Sequence, residues 1–402
     1  MNNLFLKFCV CICLPLFCAG CSSSEKLSEN EFLIEGEIFN VEDGAVITLF
    51  RNDGDFGMSI ATDTVKNGRF VFKNEVVTNP EKMSIMCFSE GYPSSRSLDV
   101  WVASGKKIKI MGKDKLLPAW EVKSAVSYQK TENVYANKIR NTTREIMVLD
   151  IEMDSLRAKS RAASSQEEGL IFKKGVDSLV LVKDSLKLVC VLAEIGIMEK
   201  METSAIWLDK LRGISMTLAY TNMSDENAST LRKKAEELYV RMSEEERHSP
   251  EGYKITANLF PPPVAEVGDD MVDTDLFDPD GKTTHLSAYL GKYLLLDFWS
   301  RGCGPCIMAL PEMKEVAEIY KEKLIIISIS LDTDKVWKDA MLAHDTPWVN
   351  LRDHKGFGGL AAHYGVRGIP NYIMISPEGK IVDKWMGFGT GYIKMKVGES
   401  IK

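Results

Sequence analysis

Between Tyr293 and Leu310 an apolar run gives way to a helical pattern, and two cysteines sit at the change. Tyr293 to Trp299 has the length and composition of a buried strand. Cys303-Gly304-Pro305-Cys306 follows, with helical spacing after Cys303 and proline at an early helical position where its missing N–H costs little. A second buried strand is expected from Leu324 to Ser330 and a helix near Asp334 to Ala343. Strands Asn371 to Ser376 and Ile381 to Met386, turned by Pro377-Glu378-Gly379, precede a short final helix. Strands alternating with helices imply a βαβ core. In such a core a Cys-x-x-Cys pair reads as a redox motif.

The preceding sequence is of two other kinds. Phe32, Ile34 and Ile38 share a period of two, Asp43-Gly44 is a turn, and Asn67-Gly68 between two strand-like runs predicts a hairpin, because both residues tolerate positive φ. Residues 31–117 therefore read as an antiparallel β domain. Residues 118–258 carry apolar residues at helical spacing, as in Leu231, Ala235, Leu238 and Met242, with a break at Ser164-Ser165. Those stripes fit a packed core or a homodimer seam. Phe260-Pro261-Pro262-Pro263 is a stiff hinge into residues 259–402. The fold class is multidomain, α+β and α/β.

The first twenty residues read as a processing signal: Lys7, an apolar stretch from Phe8 to Phe17, then Cys18-Ala19-Gly20-Cys21. This resembles a bacterial lipoprotein signal, with Cys21 as the lipidated cysteine and residues 21–30 as a tether; an ordinary secretory signal cut near Gly20 is the alternative. Both readings export the chain, and lipidation adds a membrane anchor. Of nine cysteines, Cys87, Cys190, Cys303 and Cys306 would then remain besides the anchor. Outside the cytoplasm a Cys-x-x-Cys pair is a redox pair or a local bridge. The formal net charge of -7 disfavours a nucleic-acid partner.

From about Val264 onward the chain resembles the thioredoxin superfamily, more closely the TlpA/ResA-like thiol-disulfide oxidoreductases of bacterial envelopes. The matching residues are Leu296-Asp297-Phe298-Trp299, Cys303-Gly304-Pro305-Cys306 and Gly368-Ile369-Pro370. The resemblance implies a thioredoxin-like fold, a redox-active Cys303–Cys306 disulfide in place of any cofactor, and disulfide-containing envelope proteins as clients. Gly304-Pro305 is the dipeptide of reducing thioredoxins, so a membrane protein would have to supply electrons. Asp297 matches the family's buried acid beneath the dithiol. Pro370 matches its cis-proline, which lets the backbone of Ile369 pair with an extended substrate, and Trp299 is retained beside the pair. Gly302, Ala309 and Asn371 depart from the usual Trp, Glu and Thr, departures that bear on potential and substrate range. The upstream arrangement is similar to envelope lipoproteins whose leading domain has no assigned function, through Gly36, Asp43-Gly44, Asp63 and Asn67-Gly68-Arg69-Phe70.

The chemistry follows from position. A thiol at a helix N-terminus meets unpaired N–H groups and the positive end of the macrodipole, so Cys303 forms a thiolate more readily than a free thiol of pKa about 8.5. Cys303 is the expected nucleophile, Cys306 the resolving thiol, and Asp297 an acceptor for the proton that Cys306 must lose. Other readings fit less well. Structural zinc needs four ligands and the other cysteines are isolated; haem attachment requires His where Ile307 stands. Asp275, Asp278 and Asp280 fall out of register for a calcium loop, so a β-turn is expected there. No metal is expected. Ser300, three residues before Cys303, has the spacing of the peroxidase relatives, but Leu296 stands where they carry proline. A non-enzymatic alternative is an envelope-anchored adaptor with vestigial thiols.

Overall fold

The structure, a computed structural model, describes residues 27–53, 56–92, 96–220 and 225–401. The leader at 1–20 and the lipidation candidate Cys21 lie outside the described residues.

Eight strands come first: β1 (Glu31–Ile38), β2 (Val46–Asp53), β3 (Phe56–Thr64), β4 (Arg69–Glu75), β5 (Glu81–Cys87), β6 (Leu98–Val102), β7 (Lys107–Gly112) and β8 (Glu121–Ser124). They make two four-stranded sheets, ordered β4-β1-β7-β8 and β3-β2-β5-β6. Period-two alternation turns Phe32, Ile34, Phe70 and Ile108 of one sheet onto Ile47, Leu49, Met83 and Val100 of the other, giving a single sandwich core. Among the described residues every ladder here is antiparallel except β1–β7.

Asn67-Gly68 makes the tight turn expected of it, with Lys66 and Arg69 exchanging amide-to-carbonyl hydrogen bonds at 3.0 Å, but the hairpin extends no further than that one pair. Asn67 and Gly68 take the left-handed conformation, with φ 52° and 68°, but β3 pairs with β2 and β4 with β1, so the turn is a corner between the two sheets. The cause is non-local. The Phe70 ring covers Gly36 of β1 so closely that a Cβ there would fall 2.0 Å from it, which commits β4 to that sheet. Asp63 braces the corner, accepting from the amides of Thr64 and Val71, each at 2.8 Å. The residues that carried the upstream resemblance are thus the framework of this turn. β8 extends the β unit past its expected edge at residue 117 by pairing with β7.

The helices are α1 (Ser127–Ala162), α2 (Gln166–Met198), α3 (Ala205–Tyr220), α4 (Asp225–Val240), α5 (Glu244–Arg247) and α6 (Pro250–Leu259). The break at Ser164-Ser165 is a cap: the Ser165 hydroxyl accepts from the Glu168 amide, and the Glu168 carboxylate accepts from the Ser164 amide. Trp207, Leu211, Leu231, Leu238 and Ile255 close a core over α3, α4 and α6, and Trp101 of β6 joins it.

The remainder holds β9 (Leu276–Phe277), β10 (Thr283–Thr284), β11 (Tyr293–Trp299), α7 (Gly304–Ile319), β12 (Leu324–Ser330), α8 (Asp334–His344), β13 (Val349–Leu351), α9 (Leu360–His363), β14 (Asn371–Ile375), β15 (Ile381–Met386) and α10 (Tyr392–Ser400). The β-turn expected at Asp278 is a tight turn between β9 and β10, with Asp278 accepting from the Asp280 and Lys282 amides. The main sheet runs β13-β12-β11-β14-β15, parallel across β11–β12–β13 and antiparallel across β11–β14–β15. Leu295 faces Ala309 and Met313 of α7, while Leu294, Leu296 and Phe298 face the opposite layer with Leu286 and Tyr364. This unit abuts α6: a Cβ on Gly358 would lie 2.5 Å from the Tyr253 backbone, and Lys355 sits over the Tyr253 ring.

Candidate active site

β11 ends at Trp299 and α7 begins at Gly304, so four residues must turn the chain and present Cys303. Asp332 holds that turn. Its carboxylate accepts the Ser300 hydroxyl at 2.6 Å and the Arg301 amide at 2.7 Å, and the Ser300 hydroxyl accepts from the Gly302 amide at 3.2 Å. Ser300 is fully buried in this bracket, a structural use for the residue whose spacing suggested a peroxidase.

Cys303 is the N-cap of α7, and its sulfur accepts from the Cys306 amide at 3.2 Å, the place a serine or aspartate oxygen takes in an ordinary cap. Cys303 and Cys306 are joined as a disulfide, with 5.2 Å between their Cα atoms. Trp299, Trp337 and Ile369 pack around the pair, and Cys303 and Cys306 are both buried. The Ile369–Pro370 bond is cis. Gly387 donates to the Pro370 carbonyl, but among the described residues no hydrogen bond engages the backbone of Ile369.

Asp297 shares the α7-facing side of β11 with Leu295 and Trp299, by the period of two. It is buried, and its carboxylate accepts the Ser328 hydroxyl at 2.8 Å. Burial pushes the Asp297 carboxyl up to about 7, against a smaller lowering by that hydrogen bond. The Trp348 ring N–H donates to the same Ser328 oxygen, fixing the hydroxyl's proton toward Asp297. Tyr372, opposite Asp297 on β14, is also buried, and its phenol is held far above the usual range by burial and then by the Asp297 and Glu312 charges.

The sequence-predicted residues Cys303, Cys306, Trp299, Ile369 and Pro370 come together, with Asp297 on the same sheet face. Asp332, Ser328, Trp348 and Trp337 were missed. Ser328 had a signal: it is a polar residue within the apolar run of β12, directly across from the polar residue within β11. Asp332 had none, since its partners are fixed only by the fold.

The AhpC/TSA family model matches residues 267–384. Over 124 residues the chain is 32% identical to thiol-disulfide oxidoreductase ResA of Bacillus thuringiensis subsp. konkukian (strain 97-27), across 30% of this chain and 70% of that protein. The chain belongs to the ResA-type thiol-disulfide oxidoreductases. A second ResA, of Halalkalibacterium halodurans, is 28% identical over 38% of this chain and 86% of its own. Among solved structures, a thiol-disulfide oxidoreductase from Bacteroides fragilis NCTC 9343 is 27% identical, with a TM-score of 0.30, over 33% of this chain and 98% of its own.

What these matches leave uncovered shapes the site of this ResA-type oxidoreductase. The dithiol opens onto a cleft of about 1080 Å³. Cys303, Pro305 and Ile369 line one side, and residues of β5, β6, α3 and α6 line the other.

Proposed function

We propose that this enzyme reduces disulfides of envelope proteins, with Cys303 as nucleophile and Cys306 as resolving thiol. The observation that carries the reading is the position of Cys303 as the N-cap of α7, with the Cys306 amide aimed at its sulfur. An anion on that sulfur gains a hydrogen bond and the helix dipole. In the forward half-reaction the Cys303 thiolate attacks a client cystine: one Cys303–client bond forms, the client's own S–S bond breaks, and the departing client thiolate takes up a proton. Cys306, deprotonated by the Asp297 carboxylate, then attacks Cys303, closing the Cys303–Cys306 disulfide and releasing the second client thiol. Two electrons have passed to the client. A donor dithiol must return them, and a membrane protein is the proposed donor.

Ile369 supports client docking through its unengaged backbone, which can accept and donate to an extended segment, and Trp299 forms the apolar floor. Export with lipidation at Cys21 is proposed on the sequence of the leader, which puts the enzyme in the envelope facing the periplasm.

The test is trapping. Cys306→Ala should accumulate client proteins as mixed disulfides on Cys303, visible as thiol-sensitive high-mass species, and Cys303→Ala should accumulate none. Equal trapping by the two variants would overturn the division of roles.

A further inference from the structure

The cleft beside the dithiol has an opposite wall made entirely by the upstream units. A connected polar chain runs along it. The Asn52 amide donates to the Ser84 hydroxyl at 2.9 Å, and Ser84 donates to the Asp99 carboxylate at 2.8 Å. Lys82 bridges Asp99 at 3.0 Å and Asp209 at 2.7 Å, and Arg212 donates to Asp209 at 3.0 Å. All six line the cleft. The chain of contacts crosses from β2, β5 and β6 to α3, so it fastens the sandwich to the helices at the place where both face the sulfurs.

Two physical properties of this wall bear on what can enter. Its charges compensate one another, Lys82 between two carboxylates and Arg212 on one of them, so the wall discriminates by shape more than by the sign of a client's charge. The cleft, about 1080 Å³ and open to solvent, is slightly larger than the roughly 300–1,000 Å³ of small-ligand sites, and between its two walls it has room for a few residues of extended chain.

We propose that the upstream units are a specificity gate for the dithiol, and that the client is an extended, cystine-bearing polypeptide segment held between the Ile369 backbone and the α3 wall. Disulfides fixed on the surface of a compact domain are excluded by the wall. The proposal rests on the thiol-exchange reading above, which already expects an extended client, and adds the upstream wall as the element that controls access to the dithiol. Ala205 and Met216, on the α3 side of the cleft, are the specificity-determining positions, and both are exposed, so larger side chains fit there without disturbing a core.

The test uses the full chain, wild type and the variants Ala205→Trp and Met216→Trp. Each is assayed by stopped-flow oxidation of the reduced dithiol with two substrates: a short unstructured peptide cyclised by one disulfide, and oxidised dithiothreitol. The gate predicts that at least one variant slows peptide exchange by about tenfold or more, on the scale that displaced substrates lose, and leaves dithiothreitol exchange unchanged. Unchanged peptide exchange in both variants would overturn it. So would equal slowing with both substrates, which would mean that the substitutions act on the sulfurs and not on access. Wild-type failure with both substrates would instead strike the thiol-exchange reading itself.

Discussion

Asp297 is the residue whose chemistry is most sharply set by its surroundings. Its carboxyl rises from 3.8 to about 7 chiefly because burial penalises the charge, with Ser328 offsetting only part. A folded-state pKa above the unfolded value means that the native protein holds the extra proton between about pH 4 and 7, so stability falls as pH rises through that window. The expected penalty at pH 8 is roughly 4 kcal/mol. Asp297→Asn should therefore match wild type near pH 4 and exceed it by a few kcal/mol at pH 8, measured by urea unfolding at the two pH values. The rate at which Cys306 resolves a trapped mixed disulfide should in turn lose its inflection near pH 7. A constant stability difference across that range would dismiss the buried-acid account. Asp297 was legible in the sequence as a lone acid within an apolar run and by its alignment with the family. Its tuning was not, because Ser328 and Trp348 come from other parts of the sheet and contribute through positions that only the register of β11 on β12 brings together.

At the scale of elements, α7 does two things at once. Its first turn carries the dithiol, and in its middle Glu312 turns away from solvent to hold the start of α10, accepting from the Gly391 amide at 2.8 Å and the Lys394 amide at 2.9 Å. Those are donors that a helix start leaves unpaired. Glu312→Ala should cost about 1–2 kcal/mol and show as faster amide exchange in α10, Tyr392–Ser400, with the amides of α7 unaffected. Equal loss of protection in both helices would point to general loosening. Elements with a strong local pattern were readable from the sequence: β11, α7, β12 and the capped break between α1 and α2 all fall where periodicity and turn chemistry predicted. The sheet-switching corner at Asn67-Gly68 was not, since a turn's backbone preference is local while the strand it pairs is chosen by packing, here by Phe70 over Gly36. β8 was missed for a related reason: four residues are too few to show a period.

Across the whole molecule, the sandwich, the helices and the thioredoxin-like unit meet around one cleft, and the Lys82–Asp209 pair is the charged fastening between the first two. Burial opposes the Asp209 charge, but Lys82 and Arg212 overcome it and hold the carboxyl down at about 2, below its ordinary 3.8. A depressed carboxylate contributes stability that is complete above about pH 4 and lost as pH falls through 2. Lys82→Met should accordingly lower stability by about 2–3 kcal/mol at pH 7, and the deficit should shrink as the pH is taken toward 2, followed by urea midpoints. A deficit independent of pH would remove the electrostatic fastening from the account. The third junction is of another kind: at Gly358 the thioredoxin-like unit presses its main chain against that of Tyr253, too tightly for even a methyl group between them. Such a seam leaves no space for a side chain at this point of the junction. On the proposed exchange, a donor dithiol and a client would both reach Cys303 through the cleft that these units share, each leaving before the other arrives, and the traffic of electrons would be a queue.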